Sequence, residues 1–139
     1  MVTLANIGNA LYLFDDFAPL LLRVGLCVVF MVHGYPKLFT QFQGTKQFFE
    51  SIGLRPSKLW VLVVGSVEFF GGIALLFGFV TQLAALLVAI DMLVAMFLVK
   101  FRQGFVGGWE FDFILFLAAL SLVLLGGGAW SVDRFLRWT

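Results

Sequence analysis

Four long apolar runs divide the chain, separated by short polar or glycine-rich segments. Each approaches the roughly 20 residues that a helix needs to cross the hydrocarbon core of a bilayer. The pattern predicts helices over about 17–39, 59–80, 83–99 and 109–125. Ahead of them, Met1–Phe14 carries Leu4, Ile7, Leu11 and Phe14 at helical spacing. That spacing suits a short helix on the membrane surface, or an early turn of the first span. Asp15 and Asp16 follow where the helix dipole favours acids, and Pro19 falls in a first turn, where proline is tolerated. Thr40–Lys58 reads as the one long connection, polar, with Gly44, Gly53, Pro56, Phe48 and Phe49. A tight turn at Thr81–Gln82 makes the second and third helices an antiparallel hairpin. Lys100–Gly108 is basic and glycine-rich, and the fourth run stops at Gly126-Gly127-Gly128, before an amphipathic tail over Trp130–Thr139. Trp60, Trp109 and Trp130 fall where an interfacial aromatic belt would lie.

Composition turns this pattern into a class. The chain is 62% hydrophobic and 12% charged, against about 25% charged in soluble domains. With a mean hydropathy of +1.06, it is expected to be an all-α integral membrane protein, one four-helix transmembrane domain over residues 1–139. A net charge of +1 leaves no basic stripe for nucleic acid. Cys27 is the single cysteine, which excludes an internal disulfide and a CxxC pair. No Lys or Arg precedes Arg23, so no basic leader is seen and the first span is expected to be the insertion signal. Lys37, Lys46, Arg55, Lys58, Lys100 and Arg102 flank the first and third connections, while Arg134 and Arg137 lie on the other side. The positive-inside bias then predicts a multi-pass protein of the cell inner membrane, with both termini outside and those two connections cytoplasmic.

Charge inside the spans narrows the candidates. Each of Arg23, Glu68 and Asp91 would cost about 2.5–3.5 kcal/mol facing lipid, so they are expected to face one another inside the bundle. Counting a rise of about 1.5 Å per residue from the first-connection side puts Lys37 at about 3 Å, His33 at about 9 Å, Asp91 at about 13 Å, Glu68 at about 16 Å and Arg23 at about 24 Å. Arg23 can snorkel toward Glu68, and His33 matches Asp91 in depth. Arg23, Cys27, Phe30, Gly34 and Lys37 form a continuous stripe, and Gly65, Gly71 and Gly72 flank Glu68. Glycines let another backbone approach, so the first two helices are predicted to pack with Arg23 and His33 facing Glu68.

Plainer readings stand beside these. Arg23 with Glu68 is either a structural pair fixing helix register or part of a ligand site. His33, the lone histidine, suits a structural hydrogen bond as well as a relay, and Lys37 suits simple snorkelling. Asp91 shares its helix with no obvious cation. Glu110 and Asp112, secondary candidates, sit at a helix N-terminus where capping is the default, and Cys27 reads as a packing residue.

Arg23-Val24-Gly25 through His33-Gly34-Tyr35-Pro36-Lys37-Leu38-Phe39 resembles the opening of the DoxX family of small four-helix membrane proteins. Glu68-Phe69-Phe70-Gly71-Gly72, the closing Leu76-Phe77-Gly78-Phe79-Val80-Thr81, Gly108-Trp109-Glu110, and Gly128-Ala129-Trp130-Ser131-Val132-Asp133-Arg134 continue the resemblance in order along almost the whole chain. Asp112, at a position usually apolar or aromatic, and Asp91 depart from the family pattern. The resemblance implies a subunit or partner of a membrane redox system, as in a thiosulfate:quinone oxidoreductase subunit and in membrane anchors for thiol and superoxide defence enzymes.

Three functions follow as expectations. The first is a quinone-associated redox subunit, with Arg23, His33 and Lys37 as donors and Glu68 or Asp91 as proton relays. One histidine cannot form the bis-histidine haem pairs of a cytochrome bundle, and no haem, iron–sulfur or metal site is expected. Quinone is then the expected cofactor, the bilayer the first partner, and a soluble or membrane redox protein the second; self-association stays open. Whether the chain is itself catalytic stays open too. The second function is a non-enzymatic scaffold holding a soluble redox or stress-defence enzyme, docked on the basic first connection. The third is a small proton-coupled transporter, disfavoured because small multidrug exporters carry their glutamate in the first helix.

Overall fold

The computed structural model describes Phe14 and residues 16–136. The expected surface segment before Phe14 lies outside the described residues, as do Asp15 and the last three residues of the tail. Among the described residues, four helices are long and apolar enough to cross a membrane: Phe17–Thr40, Ser57–Phe77, Thr81–Gln103 and Phe105–Leu125. The chain is a multi-pass, all-α membrane protein.

Helix α1 covers Phe17–Tyr35. Pro36 has no N–H and its ring crowds the preceding turn, and there the ladder widens to a π turn over Pro36–Thr40. The Gln41 N–H closes that turn on the Pro36 carbonyl at 2.6 Å. The expected first connection is not a plain loop, because Phe42–Ser51 forms a further helix, α2, with Phe49 buried beneath it. Ser57 Oγ donates to Glu50 Oε1 at 2.8 Å, tying the end of α2 to the start of α3 (Ser57–Phe77). That hydrogen bond, with Lys46 nearby, holds the Glu50 carboxyl below the ordinary glutamate range.

Helix α3 ends at Gly78 (φ 65°). The Phe79 N–H reaches the Ala74 carbonyl and the Gly78 N–H the Leu75 carbonyl, a paired closure that needs a left-handed residue. The turn into α4 (Thr81–Val94) is therefore Gly78–Val80, just ahead of the expected Thr81–Gln82. Thr81 and Gln82 instead begin α4, because the carboxylate of Asp133 accepts from Val80 N at 2.6 Å and Thr81 N at 2.8 Å. The third span runs on through π and 3-10 turns to Gln103. Helix α5 covers Glu110–Leu125 and stops at Gly126 (φ 72°); the short α6 covers Val132–Phe135.

The interior is built from Leu26, Phe30, Leu75, Val88, Ala119 and Leu122. Large apolar side chains such as Leu21, Val32, Leu83, Ile114 and Leu124 face outward, the surface that a bilayer covers and water would not. Helices α1 and α3 approach closely through glycine. A Cβ on Gly34 would lie 2.5 Å from Phe69 N and 2.9 Å from Glu68 Cβ, and one on Gly72 would lie 3.3 Å from the Cys27 carbonyl. The glycine-flanked face around Glu68 thus packs on the first helix, as its pattern predicts.

Candidate functional site

Polar groups inside the bundle gather in two places. At the end where α3, α5 and the tail meet, Arg23 is 1% exposed and spends its guanidinium on backbone carbonyls. Its Nε donates to Leu75 O at 2.7 Å, Nη2 to Leu76 O at 2.6 Å, and Nη1 to Gly127 O at 2.9 Å and Trp130 O at 2.8 Å. Leu75 O, which also takes the Gly78 N–H, and Leu76 O lie at the end of α3, and Gly127 O and Trp130 O lie beyond the end of α5, so a planar cation ties the two helix ends together. Arg23 therefore does not face Glu68. The correction has a physical cause: four backbone carbonyls at the helix ends lie within reach of the guanidinium while the carboxylate is several turns away, and no residue type announces them.

The second cluster lines a cavity of about 450 Å³ at the other end of the bundle, under α2. His33, Lys37, Glu68, Asp91, Lys100 and Asp112 supply its polar groups. Phe30, Phe48, Phe49, Met92, Leu98 and Leu115 supply much of its apolar wall. Glu68, 3% exposed, is hydrogen-bonded through Oε1 to Lys37 Nζ. Asp112, 5% exposed, is straddled by Lys100, whose Nζ lies 3.0 Å from Oδ1 and 2.8 Å from Oδ2. Asp91 stands across the cavity on α4 with Glu68, Lys37 and Asp112 as its charged neighbours. Glu68 Oε2 and Asp91 Oδ2 are buried with no hydrogen-bond partner among the described residues. His33 lines the cavity at its rim and is exposed.

Of the expected group, then, His33, Lys37, Glu68 and Asp91 come together and Arg23 stands apart. Glu110 accepts the Gly107 N–H at 2.9 Å, a bond to the segment ahead of its helix, and is not among the residues lining the cavity. Asp112 is not a cap: it turns inward onto Lys100. Lys100 was expected only as a flanking cation. Its signal was an opposite-charge pair, Lys100 and Asp112, at facing ends of consecutive spans. Asp133, read only within the tail motif, caps α4 and acts electrostatically on Arg23.

The family model for DoxX matches residues 18–101, which contain Arg23, Lys37, Glu68 and Asp91. This chain is a member of the DoxX family. It is 38% identical over 120 residues to the Bacillus subtilis (strain 168) protein named "Putative oxidoreductase CatD", covering 86% of this chain and 87% of that one. It is 34% identical over 130 residues to the inner membrane protein YqjF of Escherichia coli (strain K12), covering 88% of this chain and 95% of YqjF. An uncharacterized membrane protein of Mycobacterium tuberculosis, Rv3486, is 33% identical over 126 residues, covering 81% of this chain and 76% of that one. No solved structure matches the chain significantly. Within this DoxX protein, Lys100 lies inside the matched segment, while Asp112 and the Asp133 cap lie beyond it.

Proposed function

We propose that this DoxX protein is the membrane subunit of a redox system and that its cavity holds a quinone. The observation that carries the reading is one cavity, at the headgroup end of an apolar bundle, that joins two lysine–carboxylate pairs to an aromatic and aliphatic wall. Its volume of about 450 Å³ lies inside the range of roughly 300–1,000 Å³ usual for small-molecule sites. The donor set fits the group: each ammonium has three N–H donors, so Lys37 and Lys100 can hold their carboxylates and still donate to a ring oxygen. Phe48 and Phe49 on α2 line the cavity from the polar side, Phe49 buried and Phe48 partly exposed. Met92, Leu98 and Leu115 give the cavity an apolar wall against which an isoprenoid tail would lie. A bound quinone would supply two-electron, two-proton redox chemistry to a partner; the chain's own residues bind, orient and neutralise. The relative named as an oxidoreductase favours the same reading.

The test is direct. Protein purified in native lipid discs and extracted with solvent is expected to yield near-stoichiometric quinone by mass spectrometry, and a Lys37→Met, Lys100→Met variant to yield several-fold less. Extracts without quinone, together with no thermal shift on adding it, overturn the reading.

A second reading is a membrane anchor for a soluble redox enzyme. It draws on α2, which stands outside the spans and leaves Gln43, Gln47 and Phe48 exposed beside Arg55 and Lys58. Cross-linking from Gln47→Cys is expected to capture one reproducible soluble protein in that case.

A further inference from the structure

The lysines of the cavity explain why a ring oxygen is held there but not which redox form is preferred. A quinone carbonyl and a quinol hydroxyl oxygen both accept from an ammonium, so Lys37 and Lys100 serve either form. The carboxylates differ. Glu68 spends Oε1 on Lys37 and leaves Oε2 buried and unmatched; Asp91 Oδ2 is equally buried and unmatched, with no cation beside it in hydrogen-bond or ion-pair contact. As carboxylates both are acceptors only, and they belong to different helices, α3 and α4, that line the same cavity.

Counting charge sharpens the point. Glu68, Asp91 and Asp112 face Lys37 and Lys100, three carboxylates against two ammoniums, with His33 exposed at the rim. The cavity has acceptors to spare. A quinone brings two more acceptors toward them, and buried oxygens left unmatched penalise the complex. A hydroquinone brings two O–H donors and satisfies them. Sites built to bond a hydroxyl discriminate strongly against an analogue that lacks it.

We propose that the cavity selects the reduced, dihydroxy form of its ligand, the O–H groups donating to the free oxygens of Glu68 and Asp91. The proposal rests on the quinone reading above. It makes Asp91 a determinant of redox-form specificity, a role distinct from the gripping role of the two lysines.

The experiment uses the full chain in lipid discs and a naphthoquinone with one short isoprenoid unit, offered oxidised or held reduced with dithionite under argon. Binding is read by thermophoresis. The hydroquinone is expected to bind at least about tenfold more tightly than the quinone. In Asp91→Leu the ratio is expected to fall close to one, with quinone affinity kept or improved. Asp91→Asn, which preserves shape and retains one acceptor while adding donors, is the second variant should Asp91→Leu fail to fold, and its ratio is expected to fall in the same direction. Equal binding of the two forms to the unaltered chain overturns the proposal and leaves the quinone site standing. A preference that survives both Asp91 substitutions overturns the assignment to Asp91. Binding of neither form overturns both this proposal and the quinone reading.

Discussion

Lys37 and Glu68 show how one pair can be written in a sequence and still be misjudged. Both were visible as charges in apolar runs, yet a depth count separated them by about 13 Å, from about 3 Å for Lys37 to about 16 Å for Glu68. The count assumed that the first helix ends where the next begins. In the structure a Cβ on Gly65 would lie 3.4 Å from Lys37 Cβ, so Lys37 sits one turn from Glu68, and the first turns of α3 stand beside α2 instead. The polar, glycine-containing connection holds a helix, α2, that carries the chain past the end of α1 before α3 starts. Asp91 and His33 were legible for the simpler reason that charge in an apolar run has few places to go. The energetic consequence is testable. Lys37→Met leaves Glu68, 3% exposed, without its cation, and is expected to lower stability by about 3 kcal/mol. Adding Glu68→Leu removes the stranded carboxylate and is expected to restore most of that loss. Unfolding in mixed micelles by denaturing detergent, followed by circular dichroism, measures both; additive losses would show that the two residues are not a pair.

At the scale of elements, the close approach of α1 and α3 decides whether the cavity keeps its shape. Gly34 sits where a Cβ would strike the backbone of Phe69 and the Cβ of Glu68, atoms that cannot swing aside. Gly25, on the same helix, would meet nothing within 4 Å. Gly34→Ala is therefore expected to force the helices apart at a cost of about 1–3 kcal/mol, and to weaken ligand binding because Glu68 moves with α3. Gly25→Ala is expected to be neutral or stabilising by up to about 1 kcal/mol, since alanine is the better helix former. Paired melting curves in one detergent check the contrast, and equal effects at the two positions would remove the close approach from the explanation. The spacing of glycines about Glu68 made this interface readable in the sequence. The Asp133 cap was not, because it depends on backbone N–H groups more than fifty residues away along the chain.

At the scale of the whole molecule, the two polar clusters lie at opposite ends of one bundle and differ in kind. The Arg23 end is closed: its cation is bound to four carbonyls and joins α1, α3 and the segment after α5. The cavity end carries charge that neutralises only in part, lies under an amphipathic helix, and is bordered by Lys46, Arg55, Lys58 and Arg102. If the positive-inside bias governs insertion, the open end faces the cytoplasm and the closed end faces outward, so a partner that exchanges electrons or protons with the cavity works from the cytoplasmic side. Single cysteines in a Cys27→Ser background read this directly, because Cys27 is the chain's one cysteine and is buried. Gln43→Cys marks the exposed face of α2, and Arg134→Cys marks the exposed edge of α6. A membrane-impermeant maleimide is expected to label Arg134→Cys in intact spheroplasts and Gln43→Cys only in inverted vesicles. The reverse pattern would turn the cavity outward and require its partner to be an extracytoplasmic one. Labelling of both positions from one side would contradict the four-span topology itself, since α2 and α6 lie on opposite sides of the same four crossings.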